Sequence, residues 1–243
     1  MPRDTSRNKE YFEDRYNKDV SEYENAAREL EIEQAEFDRL KREYSGEDIN
    51  VAYDKYFVCF MRAFYSGYSL GLAKQELTTD WKALVTSVVW SWDPDVYYKM
   101  ESLLSLAVIF DIDRYIMRPA YDLLRESNYA DHIIDSFTYY IDPLFPIQTE
   151  NLYEHKRSRV LSRVIELTLE EGKREEAAAR LRAFLDDEWL KYQIDGVIDN
   201  TQHLTEDEYR GYWSIEAAAL VKILGLDDEV LKGCKHYPYD LIH

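Results

Sequence analysis

Gly211-Tyr212-Trp213-Ser214-Ile215-Glu216-Ala217-Ala218-Ala219-Leu220-Val221-Lys222-Ile223-Leu224-Gly225-Leu226-Asp227-Asp228 is the stretch whose pattern decides the fold. Trp213, Ala217, Leu220, Val221 and Leu224 recur at the spacing of one helical face, and Ile215, Ala219 and Ile223 fill a second side. A helix apolar on most of its circumference belongs in the middle of a helical core. Gly225 stands where a left-handed residue ends a helix, with Leu226 placed for the accompanying apolar contact. Upstream, Leu204-Thr205-Glu206-Asp207-Glu208-Tyr209 has the form of a capping box, Thr205 as N-cap and Glu208 at N3, with Leu204 and Tyr209 as a hydrophobic staple. The expected helix therefore starts near Thr205 and carries Gly211 inside it, where a glycine costs about 1 kcal/mol relative to alanine and implies close backbone approach.

Helical signals also dominate outward from this stretch. Residues 8–44 are charge-rich and nearly free of Gly and Pro, with Tyr16, Val20, Tyr23, Ala27, Leu30, Ala35, Phe37 and Leu40 forming an apolar stripe. After a turn at Ser45-Gly46-Glu47-Asp48, residues 49–77 read as a core helix. Thr78-Thr79-Asp80 caps a helix over 81–92, and Asp93-Pro94-Asp95 opens another that runs through Phe110. Arg118-Pro119 opens a shorter helix that fades by Ser127-Asn128. Asp142-Pro143 and Phe145-Pro146 place a loop over 141–149. Residues 151–171 and 173–187 form a helical hairpin around Gly172; Asp195 to Asn200 is turn-rich, and the tail from His236 is an extended strip on the helices. No repeat of solenoid length recurs. The expected fold is all-α: a multi-helix antiparallel bundle in two adjoining helical parts, 1–127 and 128–243, with an extended C-terminal tail.

The chain has 243 residues, 46% of them hydrophobic, with only 8 Gly and 6 Pro, so it has enough apolar surface to bury a sizeable core. Its formal net charge is −18. Nucleic acid and anionic membranes are bound by clustered Lys and Arg, so this charge argues against both and favours a cationic partner. Cys59 and Cys234 have no metal-type spacing, and Cys59 lies in an apolar stretch, which suits a reducing compartment. Met1 to Arg7 lacks the apolar segment of a secretory signal, and the apolar run from Leu103 to Phe110 is far too short to span a bilayer. The expected location is cytoplasmic.

Catalytic arrangements are sparse. Asp111 and Asp113 could flank a cation, but at the end of an apolar helix they read as a cap and turn with Arg114 as counter-charge. Asp199 and His203 share a helical spacing, yet Gly196 and Asn200 argue for a loop there. No Glu-x-x-His pair, Gly-rich phosphate loop or nucleophile elbow occurs, and His132, His155 and His236 have no sequence companions. The expectation is a non-enzyme with no cofactor and no metal. Lys156-Arg157-Ser158-Arg159 and Arg163 form the concentrated basic patch, and ion pairing within the protein is the expected use. Asp186-Asp187-Glu188, Glu206-Asp207-Glu208 and Asp227-Asp228-Glu229 read as solvated faces or first-turn acids. With Trp189, Tyr192 and Tyr209 interleaved as anchors, the first two clusters also suit a contact with a basic protein. The expected partner-binding residues are Asp186, Asp187, Glu188, Tyr192, Asp195, Asp199, Glu206, Asp207 and Glu208.

Gly211-Tyr212-Trp213-Ser214 leading into Glu216-Ala217-Ala218-Ala219, the stop at Gly225-Leu226-Asp227-Asp228, and Tyr237-Pro238-Tyr239-Asp240-Leu241 together resemble the C-terminal domain of PoNi-type immunity proteins. Tyr11-Phe12 and Ala63-Phe64-Tyr65-Ser66-Gly67 resemble the N-terminal domain of that family, with Tyr68 a departure toward an apolar residue at what reads as surface. The resemblance implies a two-part helical immunity protein that binds and neutralises a cognate antibacterial nuclease toxin of the PoNe type in the cytoplasm, by covering its basic active-site region. It assigns no residue to toxin contact. A helical scaffold or regulator without a toxin partner, and a metal-dependent hydrolase using Asp111 and Asp113, are the alternative readings.

Overall fold

The computed structural model describes residues 2–40, 47–94, 96–129, 131–147, 156–194 and 211–243. These residues are helical, with no strand among them. They fall into two compact units: one of the residues up to Asp93 together with Gly211, the other of the residues from Pro94 onward without it.

The first unit is built on a pair of long helices, α1 (Lys9–Leu40) and α2 (Glu47–Leu70), with α3 (Trp81–Trp90) against α2. The ion pairs Glu22–Arg62, at 3.6 Å, and Glu29–Lys55 run in opposite chain directions, so α1 and α2 are antiparallel. Phe12, Ala26 and Leu30 of α1 and Phe57, Phe60 and Phe64 of α2 are buried. Inside this unit Arg15 donates from Nε to Asp19 Oδ2 at 3.0 Å, and its Nη2 lies 2.8 Å from Oδ1 in an ion pair, both side chains removed from solvent. Burial pushes the Asp19 carboxyl up although Arg15 and Ser66 pull it down. A carboxylate so buried is tolerable only with its partner in place. Tyr23, Tyr56 and Thr79 join their hydroxyls at 2.8, 2.6 and 3.2 Å, and burial raises the Tyr56 hydroxyl strongly. Asp80 caps α3 by accepting from the amides of Lys82 and Ala83, as its position predicts.

One boundary in this unit departs from the pattern. The chain leaves α2 at Leu70, short of Leu77, because Gly71 takes φ +106° and the Leu72 amide turns back to the Gly67 carbonyl at 3.1 Å. Arg3 completes this end by donating to the carbonyls of Tyr68 and Leu72 at 3.0 and 2.7 Å, its guanidinium 4.4 Å from the Tyr68 ring centroid. Tyr68 is accordingly core, 2% exposed, rather than surface detail.

The second unit holds α4 (Tyr97–Ile109), α5 (Arg114–Glu126), α6 (His132–Ile141), α7 (Lys156–Leu169), α8 (Arg174–Ala183), α9 (Trp189–Ile194) and α10 (Ile215–Leu224). Helix α10 packs on α4, α6 and α7, and every residue from Trp213 to Val221 is buried. The central position expected for it holds. Its end is the predicted motif: Gly225 at φ +55°, with the Leu226 amide on Val221 and the Gly225 amide on Lys222. Arg174 covers the last carbonyls, donating to Leu224 and Gly225 at 2.7 and 2.6 Å. Helices α7 and α8 form the hairpin around Gly172.

The start of α10 is a correction. It begins at Ile215, with Ser214 as N-cap, and not near Thr205; Gly211 lies outside the helix at φ +82°. The tail decides this, because the Ser214 amide donates to the His236 carbonyl at 2.8 Å and is not free to continue a helix. Close approach at Gly211 does hold: a Cβ there would lie 2.4 Å from Tyr65 Cβ. Leu204 to Arg210 lie outside the described residues.

Helix α4 starts at Tyr97 rather than beside Pro94, with no side-chain cap on Val96. Helix α5 starts at Arg114, capped by Asp113, and carries Pro119 in its interior instead of opening on it. Pro119 and Tyr115 are on the exposed side, where the carbonyl that lacks an intrahelical donor reaches water. Helix α6 has no counterpart in the sequence pattern. Its N-cap Asp131 is fully buried and accepts from Ile133, Ile134 and the Tyr97 hydroxyl. The tail from His236 is not a plain extended strip: a short turn at Tyr239–Leu241 interrupts it, as another at Glu229–Leu231 precedes it.

Gly225→Ala would meet only the Arg174 guanidinium, at an ordinary 3.9 Å, and should cost just the left-handed backbone term, about 1 kcal/mol in urea denaturation. Gly211→Ala should cost about 2 kcal/mol more, because the Tyr65 stem cannot swing away. Burial holds the His132 imidazole, which meets the Ser162 hydroxyl at 2.6 Å, below its ordinary value of 6.5. The unfolded chain therefore takes up the proton first, so this contribution is intact above pH 6.5 and is lost as pH falls below it. Measured against pH, the stability of His132→Asn should decline less over that window.

Candidate protein-binding surface

The acidic cluster at Asp186 sits on an unusual piece of helix. Between α8 and α9 the hydrogen bonding widens to i→i+5 over Phe184–Glu188, so one continuous rod carries an extra residue in one turn. Such bulges re-aim side chains, and they occur frequently at functional sites. Phe184 and Leu185 enter the core, while Asp186 and Asp187 stand exposed. Glu188 is half-buried and accepts from Arg180 at 2.6 Å; Asp186 lies 3.4 Å from Arg182. Arg182 also donates to the Val230 carbonyl and so ties the tail to α8. Burial, then the Asp186 carboxylate, push the Cys234 thiol up.

What anchors this turn is directly behind it. Trp189 is 4% exposed, so it belongs to the core and not, as the sequence suggests, to a surface contact. Its indole N–H donates to Glu216 Oε1 at 2.7 Å, and its ring stacks on His236 at 4.7 Å. His236 Nδ1 faces the Tyr212 carbonyl at 2.8 Å, which makes that nitrogen the donor. The pattern Trp213-Ser214-Ile215-Glu216 thus supplies a cap, a buried carboxylate and a backbone partner for the tail.

The tail closes with a second knot. Asp228 is 5% exposed and accepts from the Tyr237 hydroxyl at 2.7 Å, and His243 Nε2 lies 3.0 Å from its Oδ2. The Tyr239 ring stacks on His243 at 4.1 Å, and its hydroxyl donates to Glu229 at 2.9 Å, a bond that pushes its pKa up to about 12. Asp228 is therefore not a solvated acid; burial splits it from exposed Asp227 and Glu229.

Of the expected contact residues, the structure brings together Asp186, Asp187 and Glu188 on one turn. Tyr192 lies on α9 with its side chain outside the described residues, as are Asp195, Asp199, Glu206, Asp207 and Glu208 altogether. Tyr209 is outside them too. Asp113 caps α5, and Asp111 pairs with Lys222 at 2.7 Å, which gives both a structural use. No group of three or more metal-type side chains occurs among the described residues. Arg163 pairs with Glu166 of its own helix and with Glu170 just past its end, at 3.0 and 3.1 Å. No helix among the described residues is long and apolar enough to cross a membrane. The sequence pattern missed exposed Tyr115, Tyr139, Tyr140 and Leu144 in the same unit; the adjacent tyrosines before Asp142-Pro143 were the available signal.

Trp189→Phe keeps the ring packing but leaves the Glu216 carboxylate without its donor, so it should destabilise the chain by about 2 kcal/mol. Adding Glu216→Gln should recover part of that loss, since a neutral amide is cheaper to leave buried. Thermal unfolding of the single and double variants measures both.

Residues 129–241 match the family model described as PoNe immunity proteins (PoNi), C-terminal. No curated protein matches. Among solved structures, the crystal structure of protein PA2201 from Pseudomonas aeruginosa is similar at a TM-score of 0.64 and 16% identity, over 100% of this chain and 97% of that one. At that identity the likeness shows the fold alone. The match spans α6 to α10 and the tail as far as Leu241, so residues 129–241 are similar to the C-terminal domain of the PoNe immunity proteins.

Proposed function

We propose that this protein binds a cognate antibacterial nuclease toxin of the PoNe type in the cytoplasm and neutralises it by covering its basic active-site region, with no chemistry of its own. The family match over 129–241 is the observation that carries this reading. On the same reading, 1–127 is the family's N-terminal domain and 128–243 its C-terminal one. The contact is assigned to the carboxylates of the wide turn, Asp186, Asp187 and Glu188, extended by Tyr192, Asp195, Asp199, Glu206, Asp207 and Glu208.

The electrostatics suit the role. A nuclease must present a cationic cleft to phosphates, and a partner of net charge −18 is steered into it. Steering of this kind raises association to about 10⁸–10⁹ M⁻¹s⁻¹ at low salt and weakens as salt rises. Speed is useful where a single free toxin molecule can cut a chromosome. The half-paired arrangement helps as well: Arg180 and Arg182 pre-order two of the three carboxylates, while Asp187 is exposed for a partner.

Co-expression with the toxin encoded beside its gene tests the proposal: the protein should restore growth and co-purify with the toxin, whereas continued killing with no complex would remove the reading. Asp186→Lys with Asp187→Lys should slow association at least about tenfold and flatten its salt dependence, read by surface binding kinetics at several ionic strengths. Unchanged kinetics would move the contact elsewhere.

A further inference from the structure

Helices α1 and α2 each leave one large apolar side chain in water among the described residues, Ile32 at 67% and Val51 at 66% exposure. A single exposed aliphatic residue is ordinary. Two on the same side of one helical pair are less so, and the register puts them there. Glu29 and Lys55 are ion-paired across the pair, and Glu22 and Arg62 bridge along the same flank. Ile32 follows Glu29 by three residues and Val51 precedes Lys55 by four, so each lies one turn along that flank in the same direction. Glu36 and Asp48 continue it, four and three residues further on.

The surroundings specify what could cover this face. Residues 29–38 carry five carboxylates, Glu29, Glu31, Glu33, Glu36 and Asp38, with Lys55 paired to Glu29 and Arg39 to Glu36. A second copy of this chain would bring the same charges against themselves, and nucleic acid or an anionic membrane would be repelled alike. A cationic protein surface that offers an apolar side chain between lysines or arginines matches both properties.

We propose that the Ile32–Val51 flank of α1 and α2 is a second docking surface for the basic toxin, separate from the wide turn at Asp186. It rests on the immunity reading above and adds to it a contact made by the N-terminal unit. Apolar contact at such a site acts on complex lifetime, while the surrounding carboxylates act on encounter.

The test measures binding of the full chain to the catalytically inactivated toxin encoded beside its gene. Ile32→Ser with Val51→Ser removes the apolar atoms without altering charge; it should speed dissociation about tenfold or more and leave the association rate within about twofold. Asp48→Lys should do the reverse. Leu169→Ser, at an 80% exposed position of α7, serves as the control and should change neither. Circular dichroism of all variants checks folding, and Val51→Ser alone supplies a milder form with the same expected direction. Unaltered dissociation in folded Ile32→Ser, Val51→Ser protein overturns the surface and leaves the immunity reading standing. Failure of the wild-type chain to bind the toxin overturns both. Self-association of the wild-type chain that these two substitutions abolish would assign the face to a second copy and overturn the proposal.

Discussion

The hydrogen bond from the Trp189 indole to the Glu216 carboxylate is the interaction on which the second unit depends. A carboxylate removed from water is costly unless its lone pairs are met, and Glu216 is 5% exposed. Two features compensate. It is the second residue of α10, where the free amides and the helix dipole favour negative charge, and it accepts the indole proton at 2.7 Å. Trp189 can donate there only because the wide turn over Phe184–Glu188 shifts its position by one residue relative to an uninterrupted helix. The same shift places Asp186 and Asp187 outward. Core satisfaction and the display of surface charge are thus one geometric decision, and His236 locks it by stacking on the other side of the indole.

This dependence explains which features were legible in the sequence. The stop at Gly225-Leu226, the cap at Asp80 and the hairpin at Gly172 are local, decided by residues within a few positions of one another. They read directly. The start of α10 is not local: Thr205 looks like an adequate N-cap, but the Ser214 amide is claimed by His236, twenty-two residues on, and no pattern within the helix announces that. Asp228 fails for the same reason. Within Asp227-Asp228-Glu229 nothing distinguishes the middle acid; Tyr237 and His243 do so from the tail. Helix α6 escaped because all of Asp131 to Thr138 is buried, so polar and apolar residues share every side and no period emerges. For the candidate surface, an acidic triplet was readable, whereas the inward turn of Trp189 was not.

How the cations are used bears on function. Arg3 and Arg174 are engaged at helix C-terminal carbonyls, Arg182 at the Val230 carbonyl, and Lys222 at the Ile109 carbonyl besides Asp111. A cation bound to a backbone carbonyl stabilises a helix end without neutralising a carboxylate. Arg182 and Lys222 pair with Asp186 and Asp111 as well, and with 48 acidic against 30 basic residues an excess of carboxylates is left in either use. The structural work of the basic residues therefore leaves the negative field of the surface in place.

That field alone would be an indiscriminate attractant, since any basic protein would respond to it, and long-range steering carries little information about shape. Discrimination requires short-range contacts that only the right partner can complete. The molecule separates the two tasks. Its signature residues, from Trp213 to Glu216 and from Tyr237 to Leu241, are spent inside, on the knots that hold the tail. Its exposed residues are consequently free to differ without disturbing the fold. An interior built this way can stay the same while the outward side chains change, which is why the residues that carry the family match over 129–241 are silent about the partner.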